Sequence, residues 1–258
     1  MSFENVMRIK FTFGFDGNLT LPIHYNHFLQ AFIYINVKNQ LLQLRYHNEG
    51  FRSGNKKFKL FTFSRLSGNF LIDQTKGTIS FTSPVKLTVS SIEDALLSSF
   101  LDEVMFSGDL YLNGTKLRID GFEPVIPRLT STDLQIEMLS PLTVYRTEQR
   151  NGKKYTHYLS PWEDGFGQLV ASNLIEKYRI FHQDEHLGKP EISVVPMFND
   201  NPKFQKIIRF KATIIKGWMG TFRFRAPMEL IEYAYYAGIG AKNSEGFGCF
   251  RVFGSGES

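Results

Sequence analysis

Residues 238–248 read Gly238-Ile239-Gly240-Ala241-Lys242-Asn243-Ser244-Glu245-Gly246-Phe247-Gly248, and Cys249-Phe250-Arg251-Val252-Phe253 follow directly. This run of glycines stands between a segment of helical character, Met228 to Ala237, and a last segment of strand character. Glycine at such density lets a backbone take positive φ and pass close to a neighbour or a ligand. Successive N–H groups in such a turn can also form an anion-binding nest. A dinucleotide fingerprint follows a strand and opens a helix. Here the helix comes first and the strand last, which excludes that reading.

Upstream, the chain divides into two halves of similar pattern. Met7 to Gly14 alternates, with Ile9, Phe11 and Phe13 on one side and Arg8, Lys10 and Thr12 on the other, a half-buried strand. His24 to Lys38 reads as a helix with Phe28, Leu29, Phe32 and Ile35 on its apolar face. His27, Tyr34 and Lys38 lie along a neighbouring face. Strands are expected at Phe58–Leu66, Asn69–Ile72 and Gly77–Thr82. A second helix follows, capped by Ser90 or Ser91, and then two strands broken at Asn113-Gly114. Two prolines and a Thr/Ser cluster between Pro124 and Asp133 mark a boundary. The second half gives a strand at Leu134–Leu139, a polar hairpin with its tip near Arg150 to Lys154, and a helix at Trp162–Phe181. A strand at Glu191–Phe198 and an extended hairpin around Gly217 and Gly220 precede the Met228 helix. Each half is therefore β-α-β-β-α-β, the ferredoxin-like order. The expected fold is α+β, two tandem ferredoxin-like (RRM-like) domains over 1–127 and 128–258.

With 42% hydrophobic and 21% charged residues, the 258-residue chain is globular and able to build two cores. The 25 phenylalanines are mostly core. An excess of 30 basic over 25 acidic residues suits a polyanionic partner without requiring one. The single cysteine, Cys249, excludes an intramolecular disulfide and a cysteine-based zinc site. No apolar run reaches the length of a membrane span and no signal-peptide segment opens the chain, so a cytoplasmic protein is expected.

The spacing G-I-G-x5-G-F-G ahead of a closing strand resembles the C-terminal signature of the RAMP superfamily, RNA-binding proteins of CRISPR systems. Leu29-Gln30-Ala31-Phe32-Ile33-Tyr34 resembles the first helix of the CRISPR repeat-processing endoribonucleases of that superfamily. His47 follows it in a loop, and Lys59-Leu60-Phe61-Thr62-Phe63 and Leu139-Ser140-Pro141-Leu142 look like further family segments. The resemblance implies metal-independent cleavage of CRISPR repeat RNA (pre-crRNA) with His47, Tyr34 and Lys59 as the catalytic set, and no cofactor. Histidine suits the proton transfers, and a lysine offsets charge that grows on the phosphate. Lys56 or Lys57 can equally supply the cation, and His27 is the rival histidine. Arg45, Arg52, Lys56 and Lys57 flank the proposed site as phosphate holders. Arg209 and Lys211, and Arg223 and Arg225, alternate with apolar residues as basic strand faces, the reading of an RNA groove set against that of a solvated surface. Lys242 and Asn243 complete the RNA-binding candidates, while Gly238, Gly240, Gly246 and Gly248 shape the loop. The resemblance also brings a homodimer and other subunits of a CRISPR effector complex into view as partners. A non-catalytic RNA-binding subunit and a ligand-binding ferredoxin-like module are the competing readings.

Overall fold

A computed structural model of the chain describes residues 7–39, 42, 50–54, 56–106, 109–150, 152–184 and 188–253. The first half runs β1 (Arg8–Gly14), β2 (Asn18–Pro22), α1 (Asn26–Ile35), β3 (Phe51–Ser53), β4 (Lys56–Phe58) and β5 (Phe61–Phe63). It continues with β6 (Phe70–Asp73), β7 (Thr78–Thr82), β8 (Val85–Ser91), α2 (Asp94–Phe106), β9 (Leu110–Leu112) and β10 (Thr115–Pro124). The second half runs β11 (Asp133–Met138), β12 (Tyr145–Arg150), β13 (Lys153–Tyr158), α3 (Phe166–His182) and β14 (Ser193–Pro196). Then come β15 (Gln205–Phe210), β16 (Thr213–Trp218), β17 (Thr221–Arg225), α4 (Met228–Ala237) and β18 (Phe250–Val252).

The two principal sheets have orders β5-β8-β1-β10-β9 and β14-β17-β11-β18. Numbered within each half, the framework strands read second, third, first, fourth in both. That antiparallel arrangement is the ferredoxin-like one, used twice. The remaining strands form small side sheets: β2-β7-β6, and the hairpins β3-β4, β12-β13 and β15-β16.

Alternation decides the first core. Ile9, Phe11 and Phe13 are buried against Leu29, Phe32 and Ile33 of α1 and Leu96, Phe100 and Leu101 of α2. Phe11 meets Phe100 edge-on at 5.3 Å, and Phe13 meets Phe32 edge-on at 5.8 Å, geometry that aromatic quadrupoles favour. Ser91 Oγ accepts from the Glu93 N–H ahead of α2, as a cap at this position requires. Asn113 and Gly114 both take positive φ, the geometry of a two-residue hairpin turn.

Three expected elements differ. The third framework strand is Val85–Ser91, whereas Thr78–Thr82 pairs with β2 and β6 in a side sheet. Of the expected strand Phe58–Leu66, only Phe61–Phe63 joins the main sheet. The hairpin of the second half turns at Lys211-Ala212, with Lys211 at φ 53, and not at Gly217 or Gly220. Gly217 instead packs under Pro141 and Leu142, where a Cβ would meet Pro141 Cβ at 2.9 Å.

Helix α4 is buried on nearly every side, at Leu230, Ile231 and Tyr233 through Ala237, because it lies between its own sheet and strands β5 and β8 of the first half. Several of its C-terminal carbonyls and of those in the following loop are taken by first-half side chains. Arg8, read from alternation as solvent-facing, is 1% exposed. Its guanidinium lies 4.0 Å from the Tyr235 ring centroid and donates to Phe250 O at 2.6 Å and Tyr235 O at 3.2 Å. Ser90 Oγ donates to Tyr236 O, Thr62 Oγ1 to Phe247 O, and Asn26 Nδ2 to Glu245 O and Gly246 O. No helix of the described residues is long and apolar enough to cross a membrane.

Gly246 has φ 84, and a Cβ there would lie 2.6 Å from Phe63 Cε2 and 2.7 Å from Asn26 Nδ2. Gly246→Ala is therefore expected to cost about 2–4 kcal/mol, combining left-handed strain with overpacking. Gly188→Ala, with open space around it, is the matched control. Thermal unfolding that moves equally little for both variants would show that the loop yields at this point.

Candidate functional site

The glycine-rich loop is built around a buried ammonium. Lys177 of α3 occupies the helix's inward face with Phe166, Val170 and Leu174. It donates to Gly238 O at 2.6 Å, Asn243 Oδ1 at 2.9 Å and Gly240 O at 3.1 Å. Asn243 Nδ2 in turn donates to Phe247 O at 3.0 Å and Ile239 O at 3.1 Å. The loop's N–H groups at Ile239, Ala241, Gly246 and Gly248 bond to backbone carbonyls within the chain. Its inward surface is thus a cradle of carbonyls around a cation, the opposite polarity to an anion nest. Gly248 closes it at φ 76, where a Cβ would collide with Ile239 O.

On the loop's outer side, Ser244 and Glu245 meet α1. Gln30 Nε2 donates to Ser244 O at 2.6 Å, and the Tyr34 hydroxyl is hydrogen-bonded with the Ser244 side chain. Gln30 and Tyr34 lie one turn apart, so the face that carried Tyr34 in the sequence is the face that grips the loop. Lys59 places its Nζ 5.1 Å from the Tyr34 ring centroid. Burial pushes the Tyr34 phenol well above its ordinary range, and the Glu245 carboxylate adds to that. Tyr34 therefore works at neutral pH as an O–H group and not as a phenolate. Burial pulls the Lys59 ammonium down, with Lys211 and Lys57 adding to the shift and Glu245 opposing it.

Beside this pair opens a cleft of ≈ 420 Å³ between the halves, lined by Lys56, Lys57, Lys59, Lys242, Tyr145 and Asn173 among others. Lys56 pairs with Glu176 at 2.5 Å, and Lys242 reaches both Glu245 oxygens at 3.4 Å. Arg52 stands opposite Lys57 across the β3-β4 hairpin.

The other expected residues divide. His47 and Arg45 lie outside the described residues. His27 sits at the start of α1, its ring 4.1 Å from that of Phe28 and edge-on to Phe210 at 6.3 Å. Its Nδ1 is buried and has no hydrogen-bond partner among the described residues. Arg209 is exposed on the neighbouring hairpin, close enough to help lower the His24 pKa after burial, and Lys211 is at the hairpin's turn. Arg223 and Arg225 are away from this cleft, on the open face of the second sheet. Both clamp Asp133, at 2.7 and 2.8 Å, and hold its carboxyl far below the usual range. Asn243 is 7% exposed, with its amide engaged inside the loop at both ends.

Sequence reasoning missed Lys177, Asn26, Gln30 and a second basic cleft. That cleft, of ≈ 870 Å³, lies between the two sheets and includes Lys10, Arg65, Lys86, Arg128 and Arg251 in its lining. A signal for Lys177 existed: it continues the apolar series 166, 170, 174, where a lysine is out of place unless it serves carbonyls.

Two ferredoxin-like units locked by a glycine-rich loop ahead of the last strand define the RAMP architecture. Residues 123–252, half of the chain, match the family model of the CRISPR associated protein Cas6, C-terminal. The chain belongs to that family. It is 25% identical to the CRISPR-associated endoribonuclease Cas6 1 of Methanocaldococcus jannaschii, over 94% of this chain and 91% of that one. It is also 25% identical to the CRISPR-associated endoribonuclease Cas6 of Pyrococcus furiosus, over 93% and 86%. In fold it is similar to the structure described as a Cas6-related gene from Pyrococcus furiosus, with a TM-score of 0.81, 19% identity, and 96% and 98% of the two chains covered. A structure described as an RAMP protein binding different RNA substrates gives a TM-score of 0.78, 20% identity, and 96% and 99% coverage.

Burial brings the Lys177 pKa from its ordinary 10.5 to about 7. Between those values the unfolded chain holds a proton that the folded chain binds less fully, so this group makes unfolding free energy rise with pH across the window. Lys177→Met is expected to flatten that rise and, by orphaning carbonyls, to lose about 2–4 kcal/mol. Urea unfolding of both proteins from about pH 7 to about pH 9.5 checks this. Parallel curves would show that Lys177 is not the titrating group.

Proposed function

We propose that the chain is an endoribonuclease that cuts CRISPR repeat RNA (pre-crRNA) by attack of a ribose 2′-hydroxyl on the adjacent phosphate. The observation that carries the reading is the placement of Tyr34, its hydroxyl hydrogen-bonded with Ser244 and its ring facing the Lys59 ammonium, next to a lysine-lined cleft. Family membership and the relatives named as endoribonucleases support it. In this mechanism the 2′-oxygen loses its proton and bonds to phosphorus, the P–O5′ bond breaks, and the 5′-oxygen takes a proton. The products are a 2′,3′-cyclic phosphate and a 5′-hydroxyl. No metal enters these steps. His47 performs the proton transfers, Lys59 with Lys56 or Lys57 offsets the charge on the non-bridging oxygens, and Tyr34 orients the reacting ribose. Within the same reading the chain divides at 127/128, and its first domain carries the catalytic set.

Arg52, Lys57, Lys242, Arg209 and Lys211 hold the RNA backbone around the site, and Arg223 and Arg225 track it on the open sheet face. Asn243 is left out of this set because its amide is engaged in the loop. A cytoplasmic location, a homodimer and handover to other CRISPR effector subunits belong to the same reading. Light scattering with and without RNA decides the dimer.

A single 2′-deoxy nucleotide just upstream of the cut is expected to abolish cleavage and leave binding nearly intact, and excess chelator to change nothing. His47→Ala is expected to lower the single-turnover rate about a hundredfold or more. Tyr34→Phe and Lys59→Met should each cost less, because neighbouring groups share their tasks. Cleavage of the deoxy substrate, or products bearing a 5′-phosphate, would refute 2′-hydroxyl attack. RNA bound tightly but never cut would make the chain a non-catalytic binding subunit.

A further inference from the structure

The cleft beside Lys59 holds carboxylates as well as lysines. Glu176 and Glu245 line it together with Lys56, Lys57, Lys59 and Lys242, although a carboxylate repels the phosphates of an RNA. The two acids are held differently. Glu176 meets Lys56 in one short contact of 2.5 Å that ties the β3-β4 hairpin to α3, the length of a strong charge-assisted hydrogen bond. Glu245 meets Lys242 with both oxygens at 3.4 Å, so attraction remains without a bond of that strength. The second pair is made by the loop itself. Asn243–Glu245 form one 3₁₀ turn, closed by the Glu245 N–H donating to Lys242 O at 2.9 Å, and side chains three apart in such a turn eclipse. Lys242 enters the turn at φ 61, a left-handed conformation that glycine adopts freely and lysine does not. The loop meets positive φ with glycine at 238, 240, 246 and 248, so a lysine at this one marks a side chain that the site uses. The Lys242 and Glu245 side chains are 19% and 26% exposed, and both are reached from the cleft that they line.

We infer that Glu245 is the resident counter-ion of this cleft, and that RNA binding exchanges it for a phosphate at Lys242. The inference rests on the proposed binding of repeat RNA. In the RNA-free chain a carboxylate among these lysines offsets their mutual repulsion: burial first, then Lys211 and Lys57, destabilises the Lys59 ammonium, and Glu245 supports it. An entering phosphate brings the same sign of charge and takes the same donor. Lys242 gains a phosphate oxygen as it gives up the carboxylate, at low cost because the pair is loose. Glu245 itself stays in place. Its carbonyl accepts from Asn26 Nδ2 at 2.9 Å, and the Ser244 carbonyl accepts from Gln30 Nε2 at 2.6 Å, which fixes the turn to α1. The released carboxylate therefore remains near Lys59 and Tyr34, where it keeps the ammonium charged and repels the RNA backbone. Affinity is thus held below what the lysines alone would give. Removing the carboxylate should tighten the complex, the opposite of what losing a structural ion pair does.

The test measures equilibrium binding by anisotropy, using CRISPR repeat RNA from the array nearest this chain's gene. The RNA carries a 2′-deoxy nucleotide at the cut so that cleavage does not intervene. Glu245→Gln keeps the shape of the side chain and is expected to bind about fivefold more tightly, the scale of one ion pair that no longer has to be broken. Its log–log salt slope should steepen by about 0.7, the increment for one further phosphate neutralised on a single strand. In a Lys242→Met background the same substitution should change affinity by less than about twofold, because the pair to be exchanged is already gone. That comparison separates exchange at Lys242 from a general gain in positive charge. Glu245→Ala should show the same gain as Glu245→Gln, and circular dichroism reports that each variant is folded. Binding that is unchanged or weaker in both Glu245 variants, or a gain that is equal with and without Lys242, overturns the exchange. Cleavage of the all-ribose RNA is scored separately, so a chain that cuts without these effects fails only the exchange, and one that shows them without cutting fails only the proposed catalysis. RNA held by neither the wild type nor the variants refutes the proposed binding, and the exchange with it.

Discussion

The carbonyl oxygens between Tyr235 and Phe250 impose the constraint on which the structure depends. They belong to the end of a buried helix, a glycine-rich loop and the start of the last strand, and they face inward, away from water. Helix C-termini leave carbonyls without intrahelical donors, and the helix dipole adds negative potential at that end. The protein answers with side-chain donors from elsewhere: Arg8, Asn26, Gln30, Thr62 and Ser90 from the first half, and Lys177 from α3. Every first-half donor here is a side chain and every acceptor a second-half backbone oxygen. The two ferredoxin-like units are therefore joined by more than apolar contact, and a lost donor leaves a buried acceptor unpaired.

The same arrangement assembles the candidate site. Tyr34 and Lys59 belong to the first half, but the groups that fix and tune them, Ser244 and Glu245, belong to the loop. Neither half contains the whole site. A helix that grips the loop through Gln30 carries Tyr34 one turn later, so docking and orientation are one event. The Glu245 carboxylate acts on both residues: it keeps the Tyr34 proton in place and resists the loss of the Lys59 proton. A neutral phenol and a cationic amine are the protonation states the proposed roles require.

Sequence pattern revealed what depends on period and composition. The β1 alternation, the Asn113-Gly114 turn, the helix carrying Tyr34 and the doubled β-α-β-β-α-β order were all legible, because each is written in local residue types. Val85–Ser91 was not recognised, although Val85, Leu87 and Val89 alternate with Lys86, Thr88 and Ser90; its terminal serines also fit a helix cap, and Ser91 fills both roles. The turn at Lys211-Ala212 has no glycine or proline to announce it. Arg8 was the more instructive miss. Alternation placed it correctly on the face opposite Phe11, but whether that face meets water or α4 is decided some 230 residues away.

Lys177 shows the same limit from the other direction. It sits on α3 with no short motif around it, and it has its meaning only when the loop's carbonyls close around it. The glycines, by contrast, stood out at once, but their density is equally compatible with a nest of N–H groups for an anion and a cradle of carbonyls for a cation. What separates the two is which way the peptide planes face. Here carbonyls face Lys177 and the first-half donors, while the N–H groups of Ile239, Ala241, Gly246 and Gly248 bond to backbone carbonyls such as Thr143 O and Pro141 O. Positive charge at the cleft comes from side chains on the loop's flank, Lys242 with Lys56, Lys57 and Lys59. The glycines contribute the close packing that brings those lysines to one cleft.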